Sequence, residues 1–399
     1  MTSFSMEILG NNHVVADAEV MMQLLREAGF TATAVPTEAD ILIVVGCSTP
    51  RLAARVEELR KAFEYKVIIP AGCVEKEKFK KFPVVCSEQS HKIVEVVEEA
   101  LHNNYTQLLG KKELPPLIFP KQRINASVLV LPIARGCGYK MMSYPLPEIV
   151  KIVQQAAGKV AQIWLTAPDV FGYGVDIDNS LPTLLEAIVK VEGDFKIKLG
   201  RGTMKSLGKI KQSLLPWLEQ EKVFQYLYFP LFTGSSRMMK ELKLGSAESA
   251  SAIGEIRKKI PALTWETEMI VGYPSESEDD FWQTLNKLRE TNPDKVILVP
   301  FQAKQSTPKR KSPKIVPELA ERRVKTLVDI SSNIARLRNE QWLGWKGTII
   351  MEHNSKGQGV GRTFTYKPVR VTGEGVTGQQ VTVHIHKAET EELLGRVTV

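Results

Sequence analysis

The sequence predicts an α/β protein that ends in a small antiparallel β-barrel, and three observations carry that prediction. Short apolar runs rich in β-branched residues alternate with amphipathic helical stretches as far as residue 300. Two proline-broken polar segments, 103–127 and 303–316, interrupt this alternation and read as connections. From residue 342 the helical period gives way to strand-like runs separated by glycine-rich turns, the pattern of a small barrel.

The elements follow in order. Residues 16–28 are amphipathic and stop at Gly29, so they read as a helix. Residues 39–45 and 66–70 are buried strands, 51–63 is a charged helix between them, and 91–101 is a closing helix. Cys47 and Cys73 fall just after strand ends, the edge of a parallel sheet where ligands bind. Strands are expected at 128–133, 162–166, 196–199, 226–229, 267–271 and 295–300. Helices are expected at 147–157, 181–191, 213–220, 247–259 and 278–289. About six strands favour a partial over a complete eight-stranded barrel. Residues 318–340 form one long basic amphipathic helix, and strands at 347–352, 369–372 and 380–386 close the chain. Arg362, Phe364, Tyr366, Lys367 and Arg370 interleave cations with rings, which suits a nucleic-acid surface as well as ordinary barrel decoration.

Composition narrows the class. Hydrophobic residues make up 43% and charged residues 25% of 399, an ordinary globular balance. No apolar run approaches a membrane span, and residues 1–12 lack a basic segment followed by an apolar block, so the expected location is the cytoplasm. The net charge of +8 permits a polyanionic partner without demanding one. The four cysteines, Cys47, Cys73, Cys86 and Cys137, form no disulfide scaffold and no Cys-x-x-Cys pair.

Three stretches, in order, resemble the radical-SAM tRNA methylthiotransferase family. The first is Leu9-Gly10-Asn11 through Ala16-Asp17-Ala18-Glu19, with Glu38-Ala39-Asp40-Ile41, Val45-Gly46-Cys47 and Ala71-Gly72-Cys73. The second is Ile133-Ala134-Arg135-Gly136-Cys137 to Ser143-Tyr144-Pro145, then Ile163-Trp164-Leu165-Thr166, Phe232-Thr233-Gly234-Ser235 and Ile270-Val271-Gly272-Tyr273-Pro274. The third, Gly361-Arg362-Thr363 with Tyr366-Lys367-Pro368-Val369, resembles the family's TRAM RNA-binding barrel. The texture is similar to the archaeal and eukaryotic branch, which 2-methylthiolates N6-threonylcarbamoyladenosine at position 37 of tRNA. The resemblance divides the chain into an N-terminal domain (1–102), a radical-SAM-like domain (128–316), a linking basic helix (317–341) and a TRAM domain (342–399).

The resemblance implies two [4Fe–4S] clusters and S-adenosyl-L-methionine, with tRNA as partner through its anticodon stem-loop. One cluster is held by a Cys-x3-Cys-x2-Cys triplet that leaves one iron open for S-adenosylmethionine. Here Cys137 matches the first position, while the second and third hold Met141 and Tyr144, and the intervening text is shorter than the family's. A thioether and a phenol are poor replacements for thiolates. Of the three N-terminal ligands, Cys47 and Cys73 match and Asn11 replaces the other. Ala167-Pro168 and Phe232-Thr233 are further departures around the implied pocket.

Cys47, Cys73 and Cys137 are therefore remnant metal-ligand candidates, with relic thiols as the plainer account. Cys86 is expected to be structural and His13 solvated. Glu268 falls where the resemblance implies a strand-end carboxylate facing the nucleoside, with an ion pair as the plainer account. Lys304, Lys309, Arg310, Lys311, Arg362, Tyr366 and Lys367 are the RNA-binding candidates. Three functional readings follow: a tRNA-binding homologue that has lost the radical reaction, a pseudoenzyme; a component of an active system that uses a non-standard cluster site or a complete paralogue; or a non-catalytic RNA-binding scaffold.

Overall fold

The computed structural model describes every residue except 1, 11, 48–49, 111–112, 138–139, 245–246, 302–316, 356–357, 373–375 and 399. The chain divides into two compact units, one formed by 1–168, 173–178 and 191–193 and the other by the remainder.

In the first unit β1 (Ser3–Leu9), α1 (Asn12–Glu27), β2 (Thr31–Ala32), β3 (Ile41–Cys47), α2 (Pro50–Ala62), β4 (Val67–Cys73), β5 (Val84–Cys86), α3 (Ile93–Leu101) and β6 (Gln107–Leu108) build a six-stranded parallel sheet. Its order is β2-β1-β3-β4-β5-β6. The apolar run of β3 is continuous because both faces are covered. Ile41, Ile43 and Val45 meet Met21 and Leu25 of α1 and Val96 of α3, while Leu42 and Val44 meet Leu52 and Val56 of α2. Each such side chain contributes about 1.5–3 kcal/mol by leaving water.

The same unit continues through β7 (Val128–Pro132), β8 (Ala134–Cys137), β9 (Lys140–Ser143), α4 (Leu146–Ala156) and β10 (Gln162–Thr166). β7 and β10 pair in parallel, and β8 and β9 form an antiparallel hairpin. The expected domain boundary at 103–127 does not separate the compact units. Ala16 of α1 packs on Val128 and Val130, and the Ile124 amide donates to Glu19 Oε1 at 2.8 Å. The described residues of that stretch belong to the first unit.

The second unit holds α5 (Leu181–Val189), β11 (Lys196–Leu199), α6 (Met204–Leu218), β12 (Tyr226–Tyr228), α7 (Ser236–Glu241), α8 (Ala247–Lys259), β13 (Thr264–Val271), α9 (Glu278–Thr291), β14 (Lys295–Pro300) and α10 (Pro317–Glu340). β12, β13 and β14 are parallel neighbours, and bridges from Ile197 to Val223 and from Arg201 to Tyr228 set β11 beside β12. All six strands expected between 128 and 300 are present across the two units. The helix expected at 213–220 starts earlier, at Met204, where the Thr203 hydroxyl caps it by accepting from the Ser206 amide.

Five strands close a barrel at the end of the chain: β15 (Lys346–Ser355), β16 (Gln358–Arg362), β17 (Pro368–Thr372), β18 (Gln380–Ala388) and β19 (Leu393–Val397), in the order β15-β16-β17-β19-β18. β16 and β19 are not evident from the apolar pattern because Gly359, Gly361 and Gly395 occupy inward positions. A Cβ at Gly359 would lie 2.4 Å from Met351 Cε and one at Gly361 2.7 Å from Ile349 Cδ1, so large neighbours fill the interior instead. No helix among the described residues is long and apolar enough to cross a membrane.

Candidate functional site

Two groups of side chains, one in each unit, gather the residues that the sequence singles out. In the first unit the carboxyl ends of β3 and β4 bring Cys47 and Cys73 together as register partners, one residue beyond the partnered Gly46 and Gly72. Gly72 has φ +98°, and a Cβ there would meet the Gly46 carbonyl oxygen at 2.3 Å, so this edge requires glycine. Cys73 is half-buried, with Sγ 3.8 Å from the Ser87 hydroxyl. For Cys47 and Cys137 the backbone alone is described, and Asn11 lies outside the described residues. Cys86 is buried, as expected of a structural thiol, and burial with the nearby Glu88 charge pushes it up to about 12. His13 is not the solvated loop residue expected: it lies in the first turn of α1, and burial lowers its pKa.

The β8–β9 hairpin stands where the resemblance implies the cysteine triplet. Its register pairs Cys137 with Lys140, Gly136 with Met141, Arg135 with Met142 and Ala134 with Ser143. Behind it Arg135 is buried and forms an ion pair with Asp17 of α1, which has no exposed surface. Arg135 Nε also donates to the Tyr144 hydroxyl at 3.3 Å, and that hydroxyl donates to the Pro115 carbonyl at 2.9 Å. Burial raises the Tyr144 phenol, so it stays protonated. Asp176 accepts from the Ser143 amide at 2.8 Å, and the Tyr173 hydroxyl donates to the Tyr144 carbonyl at 2.9 Å. The two positions after Cys137 in the implied triplet are thus a strand residue facing glycine and a phenol committed to a buried polar cluster.

In the second unit Glu268 lies on the less covered face of β13, along which buried and half-buried positions alternate. Arg201 grips it with two bonds, Nε–Oε1 at 2.8 Å and Nη2–Oε2 at 3.3 Å, and the Tyr228 hydroxyl donates to Oε1 at 2.5 Å. Burial alone would push this carboxyl up, but Arg201 and Tyr228 outweigh it and hold it below the usual range. Glu268 is therefore an ionised carboxylate in a bidentate ion pair. Arg201 and Tyr228, which the sequence reading did not single out, converge with it from the ends of β11 and β12. Lys198, also unforeseen, has Nζ 4.0 Å from the Tyr366 ring centre and 5.1 Å from that of Tyr226, and burial lowers it to about 8.

Two of the RNA-binding candidates are buried. Tyr366 is 4% exposed: its ring packs on Phe224 and Tyr226 at about 5 Å, and its hydroxyl donates to Glu352 at 3.1 Å. Lys367 is 3% exposed and donates to Asp294 and Asn339, both at 2.7 Å. Asp294 also takes Arg257, Arg338 and the Trp265 amide, so one carboxylate ties the barrel, α10, α8 and β13 together. Arg362 keeps partial exposure but pairs with Glu352 at 2.7 Å. Lys304, Lys309, Arg310 and Lys311 lie outside the described residues.

Residues 3–91 match a family model described as uncharacterized protein family UPF0004. The chain is 28% identical over 407 residues to a probable threonylcarbamoyladenosine tRNA methylthiotransferase of Methanocaldococcus jannaschii, covering 96% of this chain and 94% of that protein. It is 27% identical to the corresponding Pyrococcus abyssi protein, covering 96% of each, and 27% identical to the human threonylcarbamoyladenosine tRNA methylthiotransferase, covering 80% of this chain and 60% of the human one. Among solved structures it is similar to the radical S-adenosylmethionine methyltransferase TsrM of Kitasatospora setae, with a TM-score of 0.52, 10% identity and 75% of each chain covered. It is also similar to the cobalamin-dependent S-adenosylmethionine radical enzyme OxsB, with a TM-score of 0.50, 13% identity, and 84% of this chain and 58% of that one covered. These structural likenesses establish the fold.

Proposed function

We propose, from the premise that this chain is a homologue of the threonylcarbamoyladenosine tRNA methylthiotransferases over nearly its whole length, that it keeps their framework and a tRNA partner but does not perform radical chemistry by itself. The observation that carries this reading is the β8–β9 hairpin. A site-differentiated [4Fe–4S] cluster requires three thiolates around one vertex-open cube. The implied positions offer Cys137, then Met141 in an antiparallel pair with Gly136, then Tyr144, whose phenol is bonded to Arg135 and Pro115. This donor set does not fit the cluster.

The electrostatics support the same reading. The Arg135 guanidinium and the Asp17 carboxylate neutralise each other in a buried pair. Glu268 is likewise committed, because both of its oxygens are held by Arg201 and Tyr228. What remains available for a partner is the basic balance of the chain, +8 overall, which favours a polyanion.

The test is an anaerobic assay of 5′-deoxyadenosine release from S-adenosylmethionine with dithionite, run beside binding of a labelled 17-nucleotide RNA stem-loop. The expected result is RNA binding that weakens steeply with salt and no 5′-deoxyadenosine above a no-protein control. Turnover by the isolated chain would contradict the loss of chemistry, and absence of RNA binding at low salt would contradict the retained partner.

A further inference from the structure

We infer that the groove between α8, α9 and α10 is a binding site for a small phosphate monoester, whose dianionic head is held by Arg338 and Lys258 and whose apolar body rests on Ile334 and Leu337. The groove lies within the second unit, at the C-terminal turns of the three helices. Its volume is about 740 Å³, room for a small organic molecule.

A charge imbalance beneath the groove carries the assignment. Three cations, Arg257, Arg338 and Lys367, converge on the single carboxylate of Asp294. Among the described residues no other carboxylate bonds to any of the three. All four groups are nearly withdrawn from water, with side chains 2–13% exposed. The carbonyls of Leu263, Thr291 and Asn292 accept from Arg257. They bring only partial charges, so a formal surplus of two positive charges remains. Burial pulls the Arg257 guanidinium down to about 10, and Arg338 beside it acts in the same direction. Uncompensated charge is costly away from water, and an anion in the groove lowers that cost.

Arg338 is the group placed to meet such an anion. Its Nε donates to Asp294 at 3.0 Å and its Nη2 to the Leu263 carbonyl at 3.1 Å. Its other bonds are long, Nη1 to Gln341 Oε1 at 3.4 Å and Nη2 to the Pro261 carbonyl at 3.5 Å. Gln341 and Pro261 line the groove with Arg338, so the weakly used edge of the guanidinium lies at its surface. Guanidinium forks recognise phosphate through paired N–H bonds. Lys258, exposed on the rim, adds a further cation. The acidic lining residues bring their own partners, Glu255 with Lys211 at 2.6 Å and Glu290 with Lys287 at 2.8 Å. A phosphate monoester carries close to two negative charges at neutral pH, which matches the surplus, whereas a carboxylate carries one. Ile334 and Leu337, one turn apart on α10, supply the apolar strip, and Leu337 is 49% exposed.

The test titrates the full chain with phenyl phosphate, benzoate and phenol by calorimetry at physiological salt, with melting temperature as the fold check for each variant. Phenyl phosphate is expected to bind saturably and at least tenfold more tightly than benzoate, and phenol to show no saturable binding. K258E and L337E place a carboxylate on the rim and leave Arg257, Arg338 and Asp294 intact. Each is expected to weaken phenyl phosphate at least tenfold, while K205E, at an exposed position of α6, stays within twofold. No saturable binding of phenyl phosphate would overturn the site. No loss in K258E and L337E, or an equal loss in K205E, would overturn its location. Benzoate bound as tightly as phenyl phosphate would overturn the phosphate head, and displacement of phenyl phosphate by the labelled RNA stem-loop would overturn a small molecule as the ligand.

Discussion

The β8–β9 hairpin and the β16–β17 connection of the barrel both carry motif residues whose side chains are buried: Arg135 with the adjoining Tyr144, and Tyr366 with Lys367. At the hairpin Arg135 pairs with Asp17 and bonds Tyr144, one carboxylate facing one guanidinium. In the barrel connection Lys367 packs against Asp294, one carboxylate facing three cations. The difference is in what each tie holds. The hairpin tie joins elements within the first unit, where a metal group is implied by resemblance. The barrel tie joins the β16–β17 connection, α10, α8 and β13, and makes the barrel an integral part of the second unit. A family motif can therefore mark a folding contact as readily as a binding one.

Three substitutions sharpen this comparison, from the largest effect to the smallest. Asp294→Ala removes the shared partner of Lys367, Arg257 and Arg338, and breaking a buried pair costs about 3–5 kcal/mol. The three stranded cations put this variant at or above the top of that range, measured by urea unfolding. A loss confined to about 1 kcal/mol would mean that the barrel is held by its apolar contacts alone. Asp17→Asn should cost about 3 kcal/mol, since one buried guanidinium loses its counter-charge but keeps a polar neighbour. If the hairpin depended on a cluster, reconstitution with iron and sulfide would raise the melting temperature of the unaltered chain, and no such rise is expected.

The smallest effect is on pH dependence. Glu19 is 1% exposed, and burial raises its carboxyl to about 7, with Oε1 held by the Ile124 amide. Between the ordinary carboxylate range and that value the folded chain holds a proton that the unfolded chain has released. Stability therefore falls as pH rises from about 4.5 to about 7 and levels off above that. A rise of that size corresponds to about 3 kcal/mol, which local rearrangement reduces. Glu19→Gln should flatten this slope and stabilise the chain above pH 7. An unchanged profile would show that Glu19 reaches water.

Much of the fold was legible because the apolar patterning is strong. The continuous run at 41–45 reads as a doubly covered strand, and the six strands from 128 to 300 sit where their β-branched residues sit. What the pattern concealed has physical causes. β16 and β19 present glycine to the barrel interior, so alternation of large apolar groups fails there. The β8–β9 hairpin carries Lys140, Met141 and Met142, with no alternation to mark it, and its place came into view only from the pairing of Cys137 with Lys140. At the candidate sites the residue types were readable but their orientation was not. Lys367 looks like an RNA contact in one dimension and is an interior cation in three, because Asp294, distant in sequence, folds onto it.

The measurement that tests the central claim most directly is iron and acid-labile sulfide per chain after anaerobic reconstitution and removal of unbound metal. Met141 and Tyr144 in the triplet positions, with Tyr144 held by Arg135, predict a chain that emerges without a stoichiometric cluster. About four irons and four sulfides per chain, in a cluster that S-adenosylmethionine perturbs spectroscopically, would contradict it.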